Sequence, residues 1–375
     1  MALSPLKSPR SAAKGKNKGM EYEIELKLIT SAQAGELIES QLLPQFAVQV
    51  TQHEFELSNR YYDTAARDFR KNGMGLRIRG CQGEFEQTIK TSGKGVAGLQ
   101  QRPEYNIALE PANNTSLLVP DLRRFPAHIW PLDFNVDLAQ ASLQCLFTTH
   151  FVRKAYVFDF VGQGQIELVW DRGTVSAADS QETINELELE LKQGDINLLF
   201  VVARRLAEIM PLKIGLLSKA ARGYRLLNTT AKAETLPAKA YDSWSDAQLD
   251  SMPLSQLNQH LVKYLSYWQK LANLFDLMPQ QTYSALQTLW LPLAMLLARC
   301  SEHDQQLATD FDHFATAWQN VTQSVLHHAQ SPDWSSVQSL LGGKTSLLLQ
   351  LSVMQYLLIQ SDRAQIKPDE TLVNR

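Results

Sequence analysis

Apolar and polar residues alternate in segment after segment between residue 21 and about residue 227. Because successive side chains of a β-strand point to opposite faces, this alternation predicts a strand-rich region. Eight strands are expected, at residues 21–29, 49–62, 75–80, 84–91, 101–109, 150–160, 164–170 and 184–192. Eight strands with alternating charged and apolar positions are enough to close a β-barrel.

Two parts of this region have a helical period instead. One helix is predicted near residues 31–42, and a second near 195–210, where Asp195 can cap the first turn. Residues 111–146 are rich in Pro and Leu and are expected to form short helices and loops. The helices therefore flank the strands and do not alternate regularly with them.

The pattern changes after about residue 253. Residues 229–253 contain Thr-Thr, two prolines and small polar residues, and are predicted to be a linker. Beyond them, apolar residues recur at helical spacing in segments near 261–278, 283–300, 307–325 and 334–360. Pro292 is expected to kink or split one helix. The C-terminal region is therefore predicted to be a small bundle of about four helices, and the fold class is α+β.

Length and composition indicate how many domains the chain can form and in which compartment it works. The 375 residues, 44% of them hydrophobic, can form two domains with their own cores. Cys81, Cys145 and Cys300 are too few and too scattered for a disulfide framework or a CxxC metal site. The longest apolar run, residues 289–298, is too short to span a bilayer. We therefore expect a soluble, cytoplasmic protein with no membrane partner.

The charges are unevenly distributed although the net charge is only −3. Residues 1–20 carry five Lys or Arg and no acid, and no apolar stretch follows that would make them a secretory signal. Residues 1–19 are expected to be a disordered basic extension, or a segment preceding a start at Met20. Residues 241–375 carry seven Lys or Arg against twelve Asp or Glu. No nucleic-acid partner is expected.

The first predicted strand has a charged face. Glu23, Glu25 and Lys27 project together, while Ile24 and Leu26 project the other way. Neighbouring carboxylates repel unless a cation lies between them, and Mg²⁺ or Mn²⁺ is the usual cation. Taken alone, however, this pattern is more typical of a solvated strand face.

Later strands repeat the charged face. The residues concerned are Arg77 and Arg79; Glu86, Thr88 and Lys90; Arg102 and Glu104; Arg153; and Glu186, Glu188 and Glu190. Acids are concentrated on the first and last strands, and bases lie between. If these faces converge, one lumen would hold carboxylates for a metal and cations for a phosphate chain. The sequence does not show that they point inward, but inward burial would be very costly without such partners.

The order of these motifs resembles one family. The residues that carry the resemblance are Glu23-x-Glu25-x-Lys27, Tyr-Tyr-Asp-Thr at 61–64, Gly75-Leu-Arg-Ile-Arg79, Thr88-Ile-Lys90, Gly98-Leu-x-x-Arg-Pro-Glu104, Glu186-x-Glu188-x-Glu190 and Leu217-Ser-Lys219. Together they are similar to the CYTH, or triphosphate tunnel metalloenzyme, family over roughly residues 20–227, and most of all to its bacterial inorganic triphosphatases with a helical extension. The resemblance implies an eight-stranded antiparallel barrel whose polar lumen binds a triphosphate.

The resemblance also implies residue roles. The metal-binding carboxylates would be Glu23, Glu25, Asp171, Glu186, Glu188 and Glu190, and the triphosphate would be held by Lys27, Arg77, Arg79, Lys90, Arg102, Arg153, Lys219 and Arg222. Glu23, Glu25 and Lys90 would be catalytic. Arg222 is equally consistent with a structural ion pair. Asn106 stands where many relatives keep an acid, which weakens any metal role for that strand. Tyr62 and Asp63 belong to the motif without an assigned role, and an aromatic residue such as Tyr62 at a strand end is more often a core residue than a catalytic one.

The implied activity is hydrolysis of inorganic triphosphate to diphosphate and phosphate with Mg²⁺ or Mn²⁺. The same tunnel could hydrolyse nucleoside or thiamine triphosphates, or cyclise ATP as class IV adenylate cyclases do. A polyphosphate-binding module without catalysis is the non-enzymatic alternative. Carboxylates on both terminal strands argue against it, since a pure anion binder would gain from fewer acids.

The C-terminal region carries two misleading motifs. Gly342-Gly-Lys-Thr345 is not a phosphate-binding loop, because Gln338 stands at the first glycine position and no strand precedes it. His303, His313, His327 and His328 are expected on the surface of amphipathic helices. By family analogy the region, assigned to residues 254–375, is a CHAD-like domain. It lacks the basic residues of a polyphosphate binder, so we expect it to serve either in packing or in docking of a protein or polyphosphate.

Overall fold

The computed structural model describes residues 21–96, 98–110, 118–227, 235–238, 244–328, 332 and 334–365. Its strands are β1 (Glu21–Ile29), β2 (Gln49–Asp63), β3 (Gly75–Cys81), β4 (Glu84–Lys90), β5 (Lys94–Val96), β6 (Leu99–Leu109), β7 (Gln144–Phe160), β8 (Gly164–Ala177), β9 (Ser180–Gly194) and β10 (Lys213–Ile214). All eight predicted strands are present. The last three are longer than the alternation indicated.

The strands form a closed antiparallel barrel. Its eight strands follow one another in the order β1, β9, β8, β7, β2, β3, β4 and β6, and β6 returns to β1. The remaining two strands are short. Strand β5 pairs with the first residues of β6, and β10 pairs with the end of β1. Closure leaves the barrel without the unpaired edge that an open sheet would expose. The predicted barrel is confirmed.

Two apolar layers cover the outside of the barrel. Strands β2, β3, β4 and β6 pack against the segment 118–143, around Phe69, Leu76, Ile89 and Leu122. That segment contains short 3₁₀ turns at 122–124 and 127–129 and one helix, α3 (Val136–Ala141). The second layer lies on β1, β9, β8 and β7. On β1, β3, β4 and β6 the apolar half of the alternating strand is therefore buried outward, which leaves the charged half for the lumen.

The other helices of the barrel region are α1 (Ala34–Leu37), α2 (Asp68–Lys71), α4 (Asn197–Ile209) and α5 (Lys219–Leu227). The helix predicted near 31–42 is irregular, because α1 continues as a π-type turn over Ile38–Leu42. The helix predicted near 195–210 is confirmed as α4. The Asp195 carboxylate accepts a hydrogen bond from the Asn197 backbone N–H at 2.9 Å, as expected for a cap.

The C-terminal region is helical, as predicted, but its division differs. It contains α6 (Asp246–Asp250), α7 (Leu254–Leu274), α8 (Pro279–Ser301), α9 (Gln305–His327), α10 (Trp334–Leu341) and α11 (Lys344–Gln365). Helix α8 continues through Pro292, so of the predicted kink or split the split does not occur. The single segment expected at 334–360 is instead two helices, because Gly342 and Gly343 interrupt it. Much of the predicted linker lies outside the described residues, and α6 lies within it.

The helical region packs directly on the barrel. Leu28 of β1, Leu206 of α4 and Leu261 of α7 belong to one continuous hydrophobic cluster, and each is fully buried. A polar contact crosses this interface, since Arg204 of α4 donates to the Asp310 carboxylate at 2.9 Å. Barrel and bundle therefore share a core. Within the described chain, no helix has the length and apolarity needed to cross a membrane.

Candidate active site

Strand register brings the predicted charged faces together inside the barrel. Glu25 of β1 lies opposite Glu190 of β9, and Lys27 lies opposite Glu188. Arg153 of β7 lies opposite Asp171 of β8. The intervening leucines of β1 and β9 are fully buried in the outer core. The solvated-face interpretation is therefore wrong for these strands.

The densest group of charges, which we name the basal cluster, consists of three carboxylates and four cations: Asp171, Glu186, Glu188, Lys27, Arg153, Lys219 and Arg222. Arg153 binds Asp171 through two hydrogen bonds of 2.7 Å. Lys219 contacts Asp171 at 2.6 Å and Glu186 at 2.5 Å. Lys27 contacts Glu186 at 3.1 Å and also pairs with Glu188. Each carboxylate thus contacts at least two cations, which offsets the cost of burying it.

Ion pairing within the basal cluster shifts the pKa values of Glu188 and Lys27. Burial alone would raise the pKa of Glu188, but Lys219, Lys27 and Arg153 together hold that pKa well below its usual value. Burial opposes the charge of Lys27 as well, yet Glu186 and Glu188 raise its pKa well above normal. Glu188 and Lys27 are therefore both charged near neutral pH.

A second cluster lies on β1, β4, β6 and β3. It consists of Glu23, Lys90, Glu104 and Arg77. Lys90 pairs with Glu23 and lies 3.6 Å from Glu104, which Arg77 contacts at 3.4 Å. Burial lowers the pKa of Lys90, but Glu23 and Glu104 outweigh it and raise the pKa above normal. Here two cations balance two carboxylates.

Glu25 and Glu190 differ from both clusters because their negative charges are less well balanced. Burial raises the pKa of Glu25, and Glu188 and Glu23 raise it further against the opposing effect of Lys27, which lies 3.3 Å away. Burial likewise raises the pKa of Glu190, against the opposing effect of Lys192. Two directly opposed carboxylates with raised pKa values form a site that would gain from a bound cation.

The remaining predicted residues are less central. The Arg79 guanidinium donates to the Asn59 side chain at 2.9 Å, and Arg102 donates to Gln100 at 2.9 Å. Asn106, the departure from the family pattern, accepts a hydrogen bond from the Thr88 hydroxyl at 2.7 Å. Tyr62 is buried in the outer core, as expected.

Contacts hold both the backbone and the charged side chain of Lys27 in place. Gly215, which follows β10, donates its N–H to the Lys27 carbonyl at 2.9 Å. A side chain at residue 215 would place its Cβ 2.8 Å from Cγ of Lys27, so only glycine allows this approach. Next to it, the Leu212 N–H donates to the Gly342 carbonyl at 2.9 Å. The helical region therefore supports the strand that carries Lys27.

Helix α5 covers one end of the lumen. The Ser218 hydroxyl accepts the Ala221 N–H at 3.1 Å at its start, and Lys219 and Arg222 point from the helix into the basal cluster. An apolar group that includes Phe147, Phe151 and Tyr224 fills the same end of the barrel.

Two acids with site contacts received no role from the sequence. Glu104 pairs with both cations of the second cluster. Glu182 of β9 pairs with Arg222 at 2.6 Å. The signal for Glu104 was available, since it shares a strand face with Arg102. Glu182 continues the alternation of Glu186 and Glu188, but it lies outside the predicted strand 184–192. Its role could not be recognised for that reason.

The carboxylates suit a hard divalent cation. Among the described residues, Asp171, Glu186 and Glu188 offer oxygens that all lie within 4.8 Å of one another. Carboxylate oxygens without thiolate or imidazole are the donors that Mg²⁺ and Mn²⁺ prefer. The cations of the basal cluster already neutralise this group, whereas the pKa values of Glu25 and Glu190 are raised, although Lys27 lies 3.3 Å from Glu25 and Lys192 lies 2.8 Å from Glu190. The donor chemistry fits the expected metal, and the charge balance favours the Glu25 side.

Acidification is expected to destabilise the fold through the basal cluster. The folded pKa values of Asp171 and Glu188 lie below the usual 3.8 and 4.5. Because the folded state then binds fewer protons than the unfolded chain, their stabilisation is complete above the unfolded pKa and is lost as pH falls through the folded pKa. Urea unfolding at about pH 7 and about pH 3 measures this change. Asp171→Asn should reduce the difference, and an equal difference would contradict the assignment.

The features together define a closed antiparallel barrel with an ion-paired lumen and a helical region packed outside. Residues 21–224 match the family model described as the CYTH domain. Since this match covers more than half of the chain, the protein belongs to the CYTH domain family. Family membership implies a divalent metal in the lumen.

Relatives of this chain carry triphosphate-related names. It is 37% identical over 213 residues to a protein named inorganic triphosphatase from Haemophilus influenzae, a match covering 55% of each chain. The chain thus matches about half the length of that relative. Two solved structures also resemble it. One is a candidate adenylyl cyclase from Hippeastrum described as having a dominant triphosphatase activity, with 22% identity, 54% and 95% coverage of the two chains and a TM-score of 0.39. The other is a candidate adenylate cyclase from Bacillus halodurans, with 22% identity, 55% and 98% coverage and a TM-score of 0.37.

Proposed function

We propose that this protein hydrolyses inorganic triphosphate to diphosphate and phosphate with Mg²⁺ or Mn²⁺. The observation that carries the proposal is the lumen, where Lys and Arg side chains from four strands and α5 face a set of glutamates. The cations in question are Lys27, Arg77, Arg79, Lys90, Arg153, Lys219 and Arg222. A phosphate chain is a polyanion, and its oxygens accept hydrogen bonds from these donors. The family and the named relative support the same chemistry.

The metal is best placed on Glu23, Glu25 and Glu190, with Glu188 adjoining. Glu25 and Glu190 carry the least balanced charge, and Glu23 shares the face of Glu25 two residues away. A bound divalent ion supplies charge neutralisation for phosphoryl oxygens and lowers the pKa of a water molecule. Asp171 and Glu186 are then carboxylates that hold Lys219 and Arg153 in place.

The chain's own contribution is to bind and orient the substrate. Phosphoryl transfer needs positioning and charge stabilisation more than covalent help. Lys90 and Arg77 from one side, with Lys27, Arg153 and Lys219 from the other, can exchange carboxylate partners for phosphate oxygens. Water attacks the terminal phosphorus, a new P–O bond forms, and the bridging P–O bond breaks to release diphosphate. Held in this way, the leaving diphosphate keeps its contacts with the cations.

Phosphate release from tripolyphosphate, ATP, thiamine triphosphate and long-chain polyphosphate, with Mg²⁺ or Mn²⁺, tests the proposal. Formation of cyclic AMP from ATP is followed in parallel. We expect tripolyphosphate to give the highest kcat/KM. The Lys and Arg side chains of the lumen can all contact phosphate oxygens, and none is assigned to a nucleobase or a thiazole ring. A higher kcat/KM for ATP or thiamine triphosphate would show that this compound, and not tripolyphosphate, is the preferred substrate. Binding of polyphosphate without turnover would show a binding module instead.

Replacing Lys90 by Ala is expected to lower kcat/KM for tripolyphosphate. Lys90 is the cation of the second cluster nearest Glu23, and removing one charged donor costs about 2–4 kcal/mol of transition-state stabilisation. Lys94→Ala, on the exposed part of β5, is the control. Steady-state kinetics measure both variants. Equal kinetics for Lys90→Ala and the unmodified protein would remove Lys90 from the catalytic set.

The C-terminal region is proposed to stabilise the barrel. We assign residues 20–227 to the triphosphate tunnel domain, 228–253 to the linker and 254–375 to the helical domain. The four histidines predicted on its surface are exposed. Support for a packing role comes from the shared core around Leu206 and Leu261. A cytoplasmic location is consistent with Cys81, Cys145 and Cys300, which are free thiols.

A further inference from the structure

The positions of two lumen cations depend on helix α5. Lys219 and Arg222 both extend from this helix into the basal cluster. A Lys ammonium lies at the end of a flexible four-carbon stem. The place that its charge can reach therefore follows from where the helix itself lies. Any contact that fixes α5 on the barrel also fixes these two cations.

Arg222 attaches α5 to β9. Its guanidinium contacts Glu182 at 2.6 Å and Glu186 at 3.2 Å, and it donates to the Thr183 carbonyl. This attachment lies on one wall of the barrel. A single attachment would still allow the helix to tilt across the end of the lumen.

Asp63 provides a second attachment on another wall. It is the last residue of β2, three strands away from β9 around the barrel, and it is fully buried. Its carboxylate accepts backbone N–H groups of Thr64 at 2.8 Å, Phe69 at 3.0 Å and Arg70 at 3.1 Å. These three bonds fix the carboxylate in the turn that leads into α2. Oδ1 accepts two of these bonds and Oδ2 accepts only the one from Arg70, so Oδ2 can accept a further donor.

That donor is the hydroxyl of Tyr224 on α5, 2.5 Å from Oδ2 of Asp63. The Tyr224 ring packs edge-on against Phe147, with 5.0 Å between centroids, and Arg70 lies 4.5 Å over its face. Burial raises the pKa of Tyr224, and its hydrogen bond to Asp63 raises it further, so the hydroxyl keeps its proton. The ring and the hydroxyl are thus both fixed by the barrel.

The two attachments restrain different sides of the helix. Tyr224 follows Arg222 by two residues, which places it about 200° around the helix. Between them, Gly223 lies against Phe147, and a Cβ at residue 223 would approach that ring to 2.1 Å. Helix α5 therefore lies directly against β7 and is held from both sides.

We propose that Asp63 and Tyr224 are positioning residues for the triphosphate site, acting through α5 on Lys219 and Arg222. Neither residue touches the substrate. The substrate part of this inference rests on the function proposed above, whereas the fixing of α5 does not. Without the Tyr224 hydroxyl, α5 keeps its attachment to β9 but loses the one to β2. Lys219 then samples positions outside the basal cluster.

Tyr224→Phe removes only the hydroxyl, and Tyr62→Phe is its matched control. Tyr62 is buried to a similar degree, 4% exposed against 6%, and its hydroxyl donates to the Leu118 carbonyl at 2.7 Å. That bond lies in the outer layer, away from α5. Both variants should lose thermal stability, and Tyr224→Phe should lose more because its hydroxyl donates to a carboxylate. Only Tyr224→Phe should affect the tunnel.

Amide hydrogen exchange of the full-length protein tests the attachment without any substrate. We expect Tyr224→Phe to increase exchange in α5 by about tenfold, the effect of losing a hydrogen bond to a charged group. Tyr62→Phe should leave α5 unchanged. Unchanged exchange in α5 of Tyr224→Phe, or an equal increase in Tyr62→Phe, would overturn the proposal.

Kinetics with tripolyphosphate, well below the melting temperatures, test the consequence for the site. Tyr224→Phe should raise KM about tenfold and change kcat less, because a displaced cation weakens binding first. Faster exchange in α5 with unchanged KM would overturn the positioning role. If the unmodified protein does not hydrolyse tripolyphosphate, the proposed function fails, while the exchange experiment still decides whether Asp63 fixes α5.

Discussion

Replacement of Glu25 by Gln is expected to lower metal-dependent hydrolysis of tripolyphosphate by about a thousandfold, equivalent to roughly 4 kcal/mol. Glu25 lies opposite Glu190 in the lumen, and burial together with Glu188 and Glu23 raises its pKa. Gln keeps the shape but removes the charge that a divalent cation requires. Mn²⁺ titration by calorimetry should show a matching loss of affinity, independently of turnover.

Glu56→Gln is the control for this change. Glu56 lies on β2 but on the outer surface, where its side chain is 65% exposed and contacts His150 at 2.6 Å. Its replacement should leave Mn²⁺ affinity and turnover unchanged. If Glu25→Gln binds Mn²⁺ as tightly as the unmodified protein, the metal does not bind at Glu25. The basal carboxylates Asp171, Glu186 and Glu188 would then be the site to test.

Replacement of Leu261 by Ala is expected to lower the free energy of unfolding by about 2–5 kcal/mol, the usual cost of a cavity in a packed core. Leu261 lies on α7, far along the chain from the barrel strands, but it is fully buried in the cluster that includes Leu28 and Leu206. Because barrel and helices share this cluster, they should unfold in one transition. Urea unfolding followed by circular dichroism and by turnover measures both parts.

Leu326→Ala makes the same chemical change on the helical surface, where Leu326 is 67% exposed. It should alter stability by less than about 0.5 kcal/mol. Two separate transitions in the unmodified protein, with turnover surviving the first, would contradict a shared core. The helical region would then be an independent domain.

The barrel could be predicted because its strands obey one simple rule. A strand buried on its outer side by helices and charged on its inner side alternates strictly, and Glu23-Ile24-Glu25 shows this at once. The alternation does not show whether the charged face points to the lumen or to solvent, because both environments accept charge. The structure resolves the direction, because Leu26 and Leu28 on the opposite face are buried in the same apolar cluster as residues of α4.

The partners of the charged residues were harder to predict than the residues themselves. Asp63 was assigned no role from the sequence; it is fully buried, and its contact with Tyr224 spans 161 residues of the chain. No local pattern encodes such a pair. The division of the last segment at Gly342 was missed for another reason: the apolar stripe continues across it, while the backbone turns.

Barrel closure has a consequence for synthesis of the chain. Residues 24–29 of β1 pair with residues 186–191 of β9, so the first strand lacks that neighbour until about 160 further residues are made. At ribosomal rates this takes roughly 10–30 s. During that time β1 can pair with β6, which arrives much earlier. The strands made before β9 can therefore form only an open sheet. Its charged inner face stays exposed to water until β9 pairs with β1 and closes the barrel.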